Sequence, residues 1–422
     1  MIQFYNRTWA NLLFIFLISF SNIAFSQGHH PIPSDTIHLS KGESSIIPLP
    51  IIGANPTVGV LFGVALSANA MLGNHETTHM STSVSTVNYS TNNQLLAFIK
   101  TNVYTPDDKW ILLGDWRYFD SSQPTFGLGT GPQSAKLVSN SFEYKDGMFT
   151  KPITTDQMLE FNYVKLSEIV LKKIKKSFYV GIGYHLDYHY NIKDNLLNLD
   201  TIGGAQPQIT SHYSYSKYYG FNPEDYSLSG ISLNFVYDSR DNAANPYKGR
   251  YSLVSYHMNP RFLGSTQNST SLWLEYRDYF SVSKKRTRDL IAVWLWSDLQ
   301  ITGNRPYMDL GAIGWDQFGK SGRGYTQGRF RGNNIVYSEV EYRAHLWGTK
   351  KSPELFGAVV FANATTASNT AGGINLFQYI NYAYGLGLRI MLQKEARINV
   401  TIDYAWGQYG AQGIFINANE VF

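Results

Sequence analysis

The stretch Gly322 to Trp347, GRGYTQGRFRGNNIVYSEVEYRAHLW, constrains this chain more than any other. Its second half keeps a two-residue period. Tyr337, Glu339, Glu341, Arg343 and His345 share one face, and Val336, Val340, Tyr342 and Leu346 share the other. Side chains of a strand alternate between its faces, so this is a strand with one wet and one apolar face. In a membrane such a strand belongs to a closed barrel with its charges turned into the lumen. The glycine-rich half before it carries Arg323, Arg329 and Arg331. It reads as a loop able to fold back among those charges.

The opening residues fit a secretory signal peptide over residues 1–26. Arg7 gives the positive start, Leu12 to Phe20 the apolar run, and Ala24-Phe25-Ser26 the cleavage site. That run is short for a spanning helix, and nothing later approaches spanning length, so insertion must use strands. The composition agrees. Aromatic residues make up 15% and charged residues only 16%, against about 25% in an ordinary soluble domain. A porin-like barrel needs such a mix; a secreted sandwich or propeller is the alternative. A net charge of +4 is too small to argue for a nucleic-acid partner. Zero cysteines exclude a disulfide framework and thiolate metal sites.

Residues 27–56 are polar and proline-dotted, and read as a flexible leader or a plug. The barrel is expected over 57–422. About sixteen strands follow from alternation and turn signals. They begin with Thr57–Leu72, include a weak candidate at Ser139–Phe149, and end with Gly413–Phe422. Long polar joins at Asn191–Pro223 and Gly303–Asn334 are expected on the outer side. Arg389 shares a face with Gly385 and Gly387, opposite Leu386 and Leu388. Facing lipid, it would cost about 2–4 kcal/mol at mid-membrane, so the glycine face points inward.

Three stretches resemble the BamA/TamA family of outer-membrane barrels, the bacterial surface antigen family. Tyr237 to Gly249, YDSRDNAANPYKG, is similar to the family's inner turn, with Asp238, Arg240, Asp241, Pro246 and Gly249 at the motif positions. Arg323-Gly324-Tyr325 resembles the core of its sixth outer loop, and SEVEYR the strand after it. The last strand ends in Phe422, as many outer-membrane strands do. The resemblance implies a sixteen-stranded barrel, an inward-folded sixth loop whose arginine meets acidic groups on the wall, and a weak seam between first and last strands. It also implies residence in the bacterial outer membrane and a role in inserting barrel proteins or moving polypeptides. Two departures stand out. Residues 27–56 are too short for the periplasmic POTRA domains that usually precede the barrel, and Asn363 replaces the family's aspartate.

The expected lock is therefore Arg323, Gly324 and Tyr325, with Glu339, Glu341, Asn363 and Asp403 as wall partners. A guanidinium suits bidentate carboxylates, whereas Asn363 accepts a hydrogen bond but brings no charge. The DSRDNAANPYKG turn reads as structural, since Pro246 fixes its φ and Gly249 permits the reversal. His185, Asp187 and His189 alternate along one strand and suggest a metal site, a catalytic base or, as the plainer reading, ordinary lumen residues in water. Gly59, Gly63 and Phe422 mark the expected seam. With no G-x-S-x-G elbow, an enzyme is not expected, and no cofactor or metal is implied. The leading reading is a barrel that assists outer-membrane protein assembly or translocation. Its partners are outer-membrane lipid, assembly proteins and client barrels. A passive channel or surface antigen on the same scaffold is the alternative.

Overall fold

The structure, a computed structural model, describes residues 40–55, 57–131, 143–144, 148–149, 157–200, 207–242, 245–316, 319–350, 354–393 and 397–422. The expected signal peptide and residues 27–39 of the expected leader lie outside them.

Sixteen strands close into one barrel, each antiparallel to its neighbours. In chain order they are β1 (Ser44–Asn55), β2 (Gly59–Ala70), β3 (Ser81–Ser90), β4 (Leu95–Tyr104), β5 (Trp110–Thr125), β6 (Gln157–Lys175), β7 (Phe178–Asp194) and β8 (Tyr226–Asp238). Then follow β9 (Gly249–Asn259), β10 (Ser269–Ser281), β11 (Leu290–Gly303), β12 (Asn334–Trp347), β13 (Phe356–Ala367), β14 (Asn381–Gln393), β15 (Ile398–Gly407) and β16 (Gln412–Ala418). The joins after β2, β4, β6, β8, β10, β12 and β14 are short, while the long loops, after β5, β7 and β11, share the other rim. Short periplasmic turns and longer external loops give the orientation.

Each strand sorts its side chains as a membrane barrel requires. On β14, Tyr382, Tyr384, Leu386 and Leu388 face outward while Arg389 is buried, so the inward glycine face holds. On β2, Phe62, Val64 and Leu66 face outward. Trp110, Trp116 and Trp347 are outside, whereas Trp294 and Trp296 are wholly inside. Carrying large aromatic rings inward only makes sense if something apolar fills the bore. That something is the connection between β11 and β12, here called loop 6.

The count of sixteen is met by a different set of strands. Residues 44–55 form β1, not a leader, and pair along their whole length with β2. Pro48 and Pro50 hid this strand, because prolines are kept to edge strands. Two residues apart, they turn their missing N–H positions to the same edge. The Ser139–Phe149 candidate is not a barrel strand. Its described residues, Glu143–Tyr144 and Met148–Phe149, pair only with each other. The loop after β7 contains a helix, α1 (Ser211–Tyr219), held by its caps rather than by an apolar stripe. Thr210 accepts from the Tyr213 N–H, and Gly220 closes the end at φ 74°. The Tyr215 hydroxyl donates to the Arg305 carbonyl, 2.8 Å away, seating the helix against loop 6.

Candidate functional site

Loop 6 is built to hold its shape inside the bore. A two-residue ladder joins Gly311–Ala312 to Arg331–Gly332. The buried Arg331 donates from one terminal nitrogen to the carbonyls of Tyr307, Met308 and Leu310, at 3.0, 2.7 and 3.2 Å. Arg305 pairs with Asp298 of β11 at 2.8 Å, pinning the start of the loop to the wall. Ile313, Tyr325 and Phe330 pack with Trp294, Trp296 and Tyr337 into one apolar cluster. The loop thus supplies the partner that the inward aromatic rings of β11 and β12 require.

At its tip, Arg323 is 2% exposed and meets three carboxylates. It donates to Glu339 and Glu341 of β12 and, at 2.8 Å, to Asp403 of β15. Its guanidinium also lies 3.5 Å from the Phe361 ring centroid on β13. Alternation puts Glu339 and Glu341 on one face of β12, and the barrel's curvature brings Asp403 to the same point. Desolvated carboxylates need such a cation, and the planar fork serves several at once. Arg343 takes the other oxygen of Glu341 at 2.7 Å, and Arg389 that of Asp403 at 2.5 Å.

The neighbours of Arg323 set the loop's path. Gly324 has φ 100°, and a Cβ there would sit 2.7 Å from that of Ala383. Only glycine fits. The Tyr325 hydroxyl donates to the Tyr382 carbonyl and accepts from the Gln408 N–H at 3.0 Å. Asn363 plays another part than expected. It does not accept from the guanidinium; its amide donates to the Arg323 carbonyl at 2.9 Å. With Asp403 already on the guanidinium, the charge missing at position 363 is supplied from β15.

The turn after β8 reaches farther than a local reversal. Arg240 pairs with Asp238 at 2.7 Å, as a turn alone would allow. Asp241, however, accepts the N–H groups of Tyr247 and Lys248 and pairs with Arg397 at 2.9 Å. Arg397 belongs to the turn before β15 and lies 4.0 Å over the Tyr247 ring. The motif therefore ties two distant periplasmic turns together. A Cβ on Gly249 would sit 2.3 Å from the Ser239 carbonyl, at φ 99°, which explains that glycine. Pro246 is buried within this turn.

His185, Asp187 and His189 line a lumen cavity of about 180 Å³ below loop 6. Asp187 pairs with Lys165 at 2.9 Å, and His185 is 2.6 Å from the Asn259 side chain. Among the described residues no group of three or more His, Cys, Asp or Glu is placed to hold a metal ion. These residues belong to the polar interior.

The barrel closes at one weak joint. Among the described residues β1 and β16 share a single register pair, Ala54 with Ile416. The ladder β15–β16 has seven pairs and β1–β2 twelve. The expected seam residues need correction. Gly59 and Gly63 lie on β2, one strand away from the joint, because residues 44–55 form the first strand of the wall. Phe422 is not on a strand at all: β16 stops at Ala418, and Phe422 is buried in the bore against Trp294.

A barrel of sixteen strands with an arginine-bearing sixth loop locked to its inner wall is a specific arrangement, and the Omp85 superfamily domain matches residues 79–414. The chain belongs to the Omp85 superfamily. Its relatives are outer-membrane barrels. Among solved structures it is similar to BamA from Haemophilus ducreyi lacking POTRA domains 1–3, with a TM-score of 0.56, 14% identity, and 90% of this chain and 70% of that one covered. It is also similar to CdiB from Escherichia coli, with a TM-score of 0.51 and 8% identity, covering 89% of this chain and 62% of CdiB. At these identities the likeness concerns the fold alone. No curated protein sequence matches the chain. Within the Omp85 frame, the signal that was legible is the arginine of loop 6 with the alternating glutamates after it. Lys320 and the inward contacts of Arg331 and of the residues after β16 carried no such signal.

Proposed function

We propose that this Omp85 barrel helps to insert or translocate polypeptides at the outer membrane, by parting the joint between β1 and β16. The observation that carries the reading is that, among the described residues, this joint has a single register pair. A strand edge left largely unpaired is a template for another strand. The work is mechanical rather than catalytic: the wall parts, and the locked loop keeps the rest of the cylinder in shape. Export by a cleaved signal peptide would bring the chain to its membrane, and client barrels or assembly proteins would be its partners. The bore filled by loop 6 favours this reading over an open channel.

The test uses the absence of native cysteine. An Ala54→Cys, Ile416→Cys pair, oxidised, is expected to stop insertion of a client barrel into vesicles, and reduction to restore it. Undiminished insertion with the joint cross-linked would overturn the proposal. Steady ion conductance without insertion would favour a pore instead.

A further inference from the structure

The residues that follow β16 do not leave the barrel. Asn419 takes a left-handed conformation, φ 64°, and turns the chain into the bore. Its N–H donates to the Asn399 carbonyl at 2.7 Å. Glu420, 5% exposed, accepts from Arg389 and from Asn399, each at 2.7 Å. The Phe422 ring stacks on Trp294 with centroids 5.2 Å apart, and its carbonyl accepts from Arg343 at 2.8 Å. Both arginines are already bound to carboxylates that hold Arg323: Arg389 to Asp403, and Arg343 to Glu341. Two hydrogen-bonded routes therefore run from the tip of loop 6 to this segment.

A third route is direct. The Lys320 ammonium, three residues before Arg323, donates to the carbonyls of Glu420 at 2.9 Å and Asn419 at 3.4 Å. Asp316 holds the loop backbone beside it, accepting from the N–H groups of Lys320 and Ser321 at 3.1 and 2.8 Å. The segment's attachments thus come from loop 6 itself, from two wall arginines whose carboxylate partners also hold loop 6, and from Asn399.

We propose that residues 419–422 form an inner strap coupling loop 6 to the joint. While Arg323 and Lys320 are in place, the end of β16 is drawn inward and held; when loop 6 withdraws, the strap loses Lys320 and the Arg323 end of both arginine routes, and its hold on β16 loosens although Arg343, Arg389 and Asn399 still touch it. Lys320 and Glu420 are positioning residues in this device. Coupling of two sites through shared contacts is reciprocal, so each end must feel a change at the other. The functional consequence rests on the reading of the joint as the moving part. The coupling itself does not, and it is measured without any client protein.

The experiment is amide hydrogen exchange on the full chain, folded in detergent micelles, read over residues 319–328 in loop 6 and 412–418 in β16. Arg323→Met and Lys320→Met are expected to speed exchange at 412–418, and Glu420→Gln to speed it at 319–328. Each change is about fivefold or more, the lower end of ordinary allosteric coupling. Arg117→Met, which breaks a pair with Asp115 on β5, is expected to change neither stretch. Should Arg323→Met not fold, Tyr325→Phe loosens the loop more gently and serves in its place. Acceleration confined to the mutated side, in either direction, would overturn the strap. Acceleration everywhere, with Arg117→Met behaving alike, would reduce it to general loosening and overturn it too. If exchange is coupled but the cross-linked joint still inserts clients, the strap stands and the proposed function falls.

Discussion

Replacing Arg323 by methionine tests the lock most directly, because the side chain keeps its bulk and loses its charge and donors. The three carboxylates on it are each no more than 1% exposed, but they are not left in the same state. Asp403 keeps Arg389, and Glu341 keeps Arg343. Glu339 keeps only the Tyr337 hydroxyl and a long contact with the Asn363 amide at 3.5 Å. The loss therefore falls on one buried carboxylate without a cation, a change that costs about 3–5 kcal/mol. With an unfolding entropy of about 2.1 cal/mol/K per residue over the compact unit 39–422, that is a fall of about 4–6 °C in Tm. The assay is the temperature at which the folded barrel loses its faster migration on a gel. Adding Glu339→Gln to Arg323→Met is expected to recover most of the loss, since the orphaned charge is gone, so the two changes are strongly non-additive. Arg323→Met melting within a degree of the parent, or Glu339→Gln making it worse, would refute this account.

Other outcomes are expected from the same structure. Gly324→Ala forces a side chain to φ 100° and into Ala383, costing about 1–3 kcal/mol in backbone strain alone, and should speed trypsin cleavage after Arg323 and Arg329. Arg397→Met breaks the tie to Asp241 between two partly exposed side chains, so its effect on Tm is small, about 0–1 kcal/mol, and shrinks in high salt. The periplasmic turns before β3 and β5 should respond to pH through His79 and Asp108, 2.5 Å apart. The hydrogen bond that the His79 ring donates to Asp108 raises the His79 pKa above 6.5. Burial pushes Asp108 upward, but its bonds from His79 outweigh this and bring it below 3.8. The His79 contribution is full below 6.5 and is lost as pH rises through its raised value. The Asp108 contribution is full above 3.8 and is lost as pH falls through its lowered value. Exchange of the 74–79 amides should be slowest between those limits, and His79→Gln should remove the alkaline limb.

Much of the fold was legible because lipid forbids charge on one face. Arg389 could point only inward, and so could Glu339 and Glu341; from there Arg323 had few places to go. Asp403 was also readable, since it shares its face with Asn399 and Thr401. Alternation failed where the backbone rather than the solvent decides. Pro48 and Pro50 disguised β1 as a leader, and Ser139–Phe149 looked like a strand with no neighbour to pair with. The inward turn at Asn419 depends on a left-handed residue beyond the last strand, which no periodicity announces. Lys320 sits in a polar loop, and its partners are backbone carbonyls a hundred residues on. Nothing local marks such a contact.

The partners of Arg323 also impose an order of events. The arginine is made before all three carboxylates, and the last of them, Asp403, comes eighty residues later. A chain lacking β15 offers it only Glu339 and Glu341, and the carbonyls that Lys320 meets lie later still. Glu339 and Glu341 stand on the strand right after the loop, but the full set of partners exists only once the far side of the wall is in place, so the complete lock marks a finished cylinder.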